Sequence, residues 1–443
     1  MAFVFLLITF EAGQKNAKTI MRKITTLTQN KKLKDFFIYS FGQAINILSP
    51  LLITPYIIYI CGLEKLGIIA MGQSLAYILI VVVDYSSYII GVKEISINRN
   101  NKEKLEELFK TIYLSKLFLV LLVFLLVLSI SLYVPYFAKN ALTILLSFSI
   151  IFGQFLNPTW FFQGVENFKW ITIINILSKT IYILGVFIFV KSEGDFVYAN
   201  FWLGFGVIAS SILGFVYILK KYKFTFKFIS TSLVKDLLIR DFSFCVSQLF
   251  FAIRNYSAVL IIGFFAGDYI AGQYKVIEQI TNLFRTYLQM FFKFSYSYVC
   301  FEIDKSLAKG LRLWKRFNGC NFLLVLVLIV LVYVFSQNVL VFFKVDKHIF
   351  NQLENYLHIA LLIPLFTAIT LPLEQLILGL SKNKIYIKLT ISMTIFNIVG
   401  ISILMKSFGL TQVFILLILT EIILIAIYLS ILKKYFVNVN NSE

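Results

Sequence analysis

Seven polar side chains recur at steps of three or four along one apolar stretch, Gly272 to Val299: Lys275, Glu278, Asn282, Arg285, Gln289, Lys293 and Tyr296. In a helix this spacing puts them on one face. The other faces carry Ile277, Ile280, Leu283, Phe284, Leu288, Met290, Phe291 and Phe292. At 1.5 Å per residue the stretch is about 42 Å long, enough to cross a bilayer. A Lys or Arg at the bilayer centre costs about 2.5–3.5 kcal/mol on insertion scales. Three cations on one stripe are therefore expected to face a wet cavity inside a bundle. The alternative is an amphipathic helix lying on the membrane surface; the almost wholly apolar opposite face argues against it. Arg285 sits mid-span and mid-stripe, and its guanidinium fork suits the oxygens of a phosphate or carboxylate.

Other charges fall inside apolar runs. Arg254 lies mid-run, with Ser247 a heptad earlier and Asn255 beside it. It reads either as a substrate-facing cation or as the partner of Glu278 or Asp84 in an internal ion pair. Lys179, one turn after Asn175, is a further cavity candidate. Glu278 and Asp84 are either coupling sites for a proton or Na⁺, or counter-ions for the nearby cations. Lys116 and Lys388 sit near span ends and are expected to snorkel.

These helices need a bilayer to sit in. Hydrophobic residues make up 59% of the 443 and aromatics 17%, in repeated runs of membrane-spanning length. The reading is an all-α integral membrane protein with about twelve spans, roughly 36–60, 66–92, 111–134, 141–163, 171–190, 197–219, 242–265, 272–299, 317–343, 355–378, 386–404 and 411–432. The net charge of +19 comes largely from connections, so topology explains it without nucleic acid. Connections on one side carry 28 Lys and Arg and those on the other carry 6, which makes both termini cytoplasmic. The chain divides into a basic cytoplasmic leader (1–35), a six-helix lobe (36–219), a cytoplasmic linker (220–241), a second six-helix lobe (242–432) and a cytoplasmic tail (433–443). Ala2 to Phe10 is either an over-extended start or a surface-lying segment, and a cleaved signal peptide is not expected. The four cysteines and two histidines have no metal-ligand spacing.

The two halves echo each other. At an offset of 205, Phe37 meets Phe242, Gln43 meets Gln248, Gly62 meets Gly267 and Gly67 meets Gly272. Both halves run in the same direction, a parallel repeat of the kind transporters use. The offset lays Glu278, Asn282 and Gln289 over Gln73, Tyr77 and Asp84, so the second span has its own stripe of Gln73, Tyr77, Asp84 and Tyr88. The two striped helices are expected to face each other across a central cleft. Pro50, Pro55, Pro158, Pro364 and Pro372 are expected to bend their spans. Gly206, Ser210 and Gly214 read as close helix packing. The chain carries no phosphate-binding G-x-x-x-x-G-K-[ST] loop and no H-E-x-x-H, and the outer connections are short. Transport is expected to draw on a gradient or the membrane potential, with no cofactor beyond a coupled H⁺ or Na⁺.

Between Leu156 and Ile173, N-P-T-W-F-F-Q-G-V-E-N-F-K-W-I-T resembles the Wzx-type polysaccharide flippases of the MOP (multidrug/oligosaccharidyl-lipid/polysaccharide) superfamily. Pro158, Trp160, Phe161, Phe162, Gln163, Gly164, Glu166 and Lys169 carry the likeness. L-I-T-P-Y-I at Leu52–Ile57, followed by Gly62 and Gly67, adds to it. Many relatives have an Arg just before the glycine where this chain has Cys61, so no role of that Arg transfers. The resemblance implies a MATE-like fold in the bacterial cytoplasmic (inner) membrane. It implies a flippase, not an enzyme, acting on an undecaprenyl-pyrophosphate-linked oligosaccharide for O-antigen (lipopolysaccharide) or capsule. The polysaccharide polymerase and chain-length machinery are implied partners. The diphosphate would sit among Arg254, Arg285 and Lys275 or Lys293 in a cationic cavity, and the tryptophan motif would be architectural, its aromatics at the membrane interface. The alternatives are an ion-coupled drug or metabolite exporter of the same superfamily, and a membrane polymerase or ligase of lipid-linked sugars.

Overall fold

The computed structural model describes residues 31–225, 231–380 and 382–440, and every regular element among them is helical. The leader cations from Lys15 to Lys23 and the Ala2–Phe10 segment lie outside the described residues. The helices are α1 (Lys31–Asp84), α2 (Val92–Ile97), α3 (Lys102–Tyr133), α4 (Pro135–Ala138), α5 (Ala141–Leu156), α6 (Thr159–Gly164), α7 (Phe168–Phe189) and α8 (Tyr198–Tyr222) in the first half. The second half contains α9 (Thr231–Ala266), α10 (Asp268–Lys305), α11 (Leu307–Val334), α12 (Ser336–Phe342), α13 (Phe350–Ala360), α14 (Leu362–Gly379), α15 (Asn383–Ser407) and α16 (Leu410–Asn440).

Among the described residues, ten stretches are long and apolar enough to cross a bilayer. One of them is divided at Gly62, the non-helical residue inside α1 (φ 80°, ψ 174°), and supplies two passes. The 38-residue α10 is long enough to cross but carries the polar stripe. Together these give twelve passes among the described residues.

Several boundaries differ from the sequence reading. The fourth span is two helices, because Asn157 before Pro158 is extended (ψ 113°) and Pro158 cannot continue the ladder. Asn157 Oδ1 accepts from the Thr159 amide at 3.1 Å and so starts α6. The tenth span is likewise two helices, α13 and α14. The ninth begins at Leu307, so most of the presumed 300–316 loop is helix, turned at Ser306. The second half of the presumed linker is the first three turns of α9. Pro50 and Pro55 lie within helical backbone; the break in α1 is at Gly62, where a positive φ favours glycine. Pro364 stands in the first turn of α14, where no helical bond is lost.

The repeat is visible in the backbone. Gly267 (φ 88°, ψ 171°) has the conformation of Gly62. Each turn leads to a second glycine packed on the opposite half. A Cβ on Gly67 would stand 1.8 Å from the Asp268 carbonyl oxygen, and one on Gly272 would stand 2.0 Å from that of Leu63. From there the second arm of α1 runs along α9. Tyr77 lies against Tyr256 with ring centroids 5.1 Å apart. At the far end Ser86 Oγ donates to Asp241 Oδ2 at 2.5 Å, and Arg240 Nη1 is 2.8 Å from Glu94 Oε1. Within the first half, Gly206 lets α8 approach the Ser178 backbone on α7, as the small-residue spacing implies.

Candidate functional site

The eighth-span stripe is built as the spacing requires. Its apolar residues Ile277, Ile280 and Leu288 are at most 2% exposed and pack in the core rather than against lipid. On the polar face Glu278, Asn282 and Arg285 reach one cavity, whose other wall carries Arg254, Asn397, Thr420 and Glu421. Lys275 Nζ is 2.8 Å from Glu278 Oε2, so this carboxylate has its counter-ion three residues away on its own helix. Gln289 is half-buried further along and Lys293 is exposed. The cavity is enclosed by α9, α10, α14, α15 and α16, all from the second half, and not by the two halves as the repeat suggested. Its volume, about 80 Å³, holds a handful of waters.

Arg254 enters this cavity from α9 but is not free. Its Nη1 is 4.0 Å from Glu374 Oε1 and its Nη2 is 3.8 Å from Glu421 Oε1, with the three side chains 8–12% exposed. The ion pair was expected with Glu278 or Asp84; the actual partners come from α14 and α16. A buried guanidinium needs compensation, and two carboxylates provide it. Glu374 also accepts from Tyr428 OH at 3.4 Å. These two glutamates were not singled out from the sequence. Each is a lone charge in an apolar run, L-P-L-E-Q-L and I-L-T-E-I-I-L, which is signal enough for an intramembrane site.

Two arginines and two glutamates line the cavity, so its walls balance rather than being cationic. What distinguishes the charges is their pairing. Arg254 is held by Glu374 and Glu421, and Glu278 by Lys275. Arg285 makes no ion pair or hydrogen bond among the described residues, although it is half-buried.

Residues from the first half are not part of this cavity. Asp84 turns into its own half, where Lys116 Nζ is 2.9 Å from its Oδ1 and Gln154 Nε2 donates to its Oδ2 at 2.9 Å. Lys116 therefore does not snorkel. At 1% exposure it is a fully buried cation, closed in by the rings of Tyr88 and Trp160 at 5.6 and 5.9 Å. The second-span stripe is split: Tyr77 faces the other half, while a π-helical turn over Ser87–Gly91 carries Tyr88 inward to Thr159 and Gln154. Lys179 is half-buried on α7 with its ammonium 5.9 Å from the Tyr182 ring and, like Arg285, without an ion pair among the described residues.

The aromatics of the tryptophan motif are packed inside the first half rather than left open on its surface. Trp160, Phe161 and Phe162 are 0% exposed, within a cluster that includes Phe109, Ile174, Ile218 and Phe224. A Cβ on Gly164 would stand 2.5 Å from Ile95 Cγ2, so only glycine lets α6 close on α2. Gln163 is exposed, and Glu166, in a left-handed conformation (φ 58°), pairs with Arg99 at 2.8 Å.

Residues 32–296 match the family model described as polysaccharide biosynthesis protein. The chain belongs to this family. Two proteins named "Putative O-antigen transporter" are similar to it. The one from Escherichia coli (strain K12) is 26% identical over 278 residues, which is 63% of this chain and 67% of that protein. The one from Shigella dysenteriae is 23% identical over 250 residues, 56% of this chain and 62% of that protein. Among solved structures, an inward-facing MATE family multidrug resistance transporter of the MOP superfamily shares the fold, with a TM-score of 0.64 at 14% identity over 92% of this chain and 96% of that one. A MOP superfamily transporter from Pyrococcus furiosus Vc1 (DSM3638) aligns with a TM-score of 0.56 at 15% identity, over 88% and 92%. This polysaccharide biosynthesis family member thus has the helical fold of the MATE-type structures, with ten stretches long and apolar enough to cross a membrane among the described residues.

Proposed function

We propose that the protein flips an undecaprenyl-pyrophosphate-linked oligosaccharide unit, of O-antigen or capsule, from the cytoplasmic to the outer leaflet by alternating access. The observation that carries the reading is Arg285, a half-buried cation on a cavity wall whose every other charge is compensated. A guanidinium in that state is poised for an anion from outside the protein, and its planar fork matches phosphate oxygens. The cavity is too small for sugars, so the glycan would need a space that opens between the halves as they rock, with the diphosphate at Arg285. Lys179 from the first half, without an ion pair among the described residues, would be a further cation for the same headgroup. The polyprenyl tail would stay in lipid, and the seam from Tyr77–Tyr256 to Ser86–Asp241 would part as the halves rock.

Coupling is assigned to the triad of Arg254, Glu374 and Glu421. One guanidinium between two carboxylates leaves a net negative charge when both are ionised, which a proton or Na⁺ would neutralise. Glu421 Oε2 is buried and without a hydrogen-bond partner among the described residues, which leaves one carboxylate oxygen of the triad unengaged. The balanced cavity and this carboxylate pair also favour a second reading, an ion-coupled exporter of lipophilic cations.

Purified protein in nanodiscs separates the two. Binding of undecaprenyl-pyrophosphate oligosaccharide that weakens with salt and with Arg285→Ala supports the flippase. No binding of that lipid, with saturable binding of a lipophilic cation, supports the exporter.

A further inference from the structure

A groove of about 930 Å³ lies outside the polar cavity, between α3 of the first half and α9 of the second. Its walls are Leu114, Leu117, Phe118 and Leu121 on one side, and Val234, Leu238, Ile239 and Phe242 on the other, with Tyr85 at the base. Several of these are large apolar side chains left open: Leu117 is 41% exposed, Phe118 52%, Ile239 66% and Phe242 62%. The Tyr85 hydroxyl is turned away from the apolar space, donating to the Leu238 carbonyl at 2.5 Å. One cation stands on the groove. Lys235, exposed near the start of α9, makes no ion pair or hydrogen bond among the described residues.

We infer that this groove is a binding site for one anionic phospholipid of the leaflet at the basic end of the bundle, an acyl chain lying between α3 and α9 and its phosphate on Lys235. The chemistry is complementary at both ends. Apolar walls in a concave site suit a hydrocarbon chain, and a juxtamembrane Lys attracts an anionic headgroup. A single unpaired ammonium matches the single charge of a phosphodiester, whereas a diphosphate lipid would leave its second charge unmet. The place matters as much as the chemistry. The groove borders the contact at which Tyr85, Ser86 and Glu94 hold Leu238, Asp241 and Arg240. A lipid seated there touches both halves at once and holds them in the present arrangement. This site stands apart from Arg285, and its failure would leave the reading of the polar cavity untouched.

Native mass spectrometry of the full chain, with phosphatidylglycerol or phosphatidylethanolamine of matched acyl chains added, tests it. One phosphatidylglycerol is expected to be retained about fivefold better than phosphatidylethanolamine, the preference one Lys contributes at a membrane surface. Lys235→Ala is expected to abolish that preference and Leu117→Trp, which fills the groove, to abolish retention of the lipid. Equal retention of both lipids overturns the proposal, as does a preference that survives Lys235→Ala, a surface change that leaves the core intact. Displacement of phosphatidylglycerol by an equal amount of undecaprenyl phosphate also overturns it, since the groove would then hold the substrate's own tail.

Discussion

Gly67 and Gly272 each pack where a side chain cannot, against the backbone of the opposite half, and they do so reciprocally. Gly67 lies on the Asp268 carbonyl and Gly272 on that of Leu63, while Asp268 and Leu63 are themselves equivalent at the offset of 205. The two turns therefore meet about a pseudo-twofold axis. Tyr136 from the first half adds a hydroxyl hydrogen bond to the Asp268 carboxylate at the same end.

A methyl group at either glycine should force the two turns apart. Gly67→Ala and Gly272→Ala are each expected to lower cross-linking between cysteines placed at Leu63 and Asp268 and to impair export of surface polysaccharide. A Cβ 1.8 or 2.0 Å from a carbonyl oxygen cannot be absorbed by a rotamer change, because the atom it meets is backbone. Cross-linking equal to that of the cysteine pair alone would refute the interlock.

The two cavity arginines should separate by mutation. Arg285→Ala is expected to keep normal protein levels in the membrane while export fails, since no internal partner is left behind. Arg254→Ala leaves Glu374 and Glu421 buried without their cation, at a cost of about 3–5 kcal/mol, so protein level and thermal stability should fall with export. Glu374→Gln on the Arg254→Ala background is expected to recover part of that stability. Lys388→Ala, at an exposed position, should change neither quantity. Quantitative immunoblots beside surface-polysaccharide gels distinguish these outcomes.

Lys116→Ala should behave as a stability mutant. Removing the ammonium leaves the Asp84 carboxylate among buried groups, again at about 3–5 kcal/mol, whereas replacing Lys116 and Asp84 together by leucine should cost much less. Thermal unfolding of the purified variants in detergent measures both. Equal losses for the single and double variants would show that packing, not the charge, keeps Lys116 in place.

The tryptophan motif should report on the core of the first half. Trp160→Ala removes a fully buried indole and is expected to cost about 3–5 kcal/mol. Phe161→Leu should cost less because it keeps most of the volume. Gln163→Ala, at an exposed site, should be neutral for stability. The same unfolding assay ranks the three.

Much of this architecture is local and so was open to sequence reasoning. Apolar runs of membrane length, the polar face at steps of three and four in α10, and the glycines at a fixed offset all depend on near neighbours or on a repeat. In the fold the glycines at that offset meet, and Glu278, Asn282 and Arg285 share a cavity while Lys293 is exposed. Even the lone Glu374 and Glu421 were marked by their apolar surroundings. The π-turn after Asp84 had no such signal, and it undid the expected second-span stripe by rotating Tyr88 away from the phase of Tyr77.

The sequence by itself pointed to a helical, multi-pass membrane protein with an internal repeat and a charged eighth span, because insertion energy and helical period act within single segments. Only the tertiary structure decided the partners: Glu374 and Glu421 for Arg254, Lys116 for Asp84, and none among the described residues for Arg285. The physical reason is that a buried charge must be compensated by whatever group the packing of distant helices brings within a few ångströms, and no spacing along the chain encodes that distance.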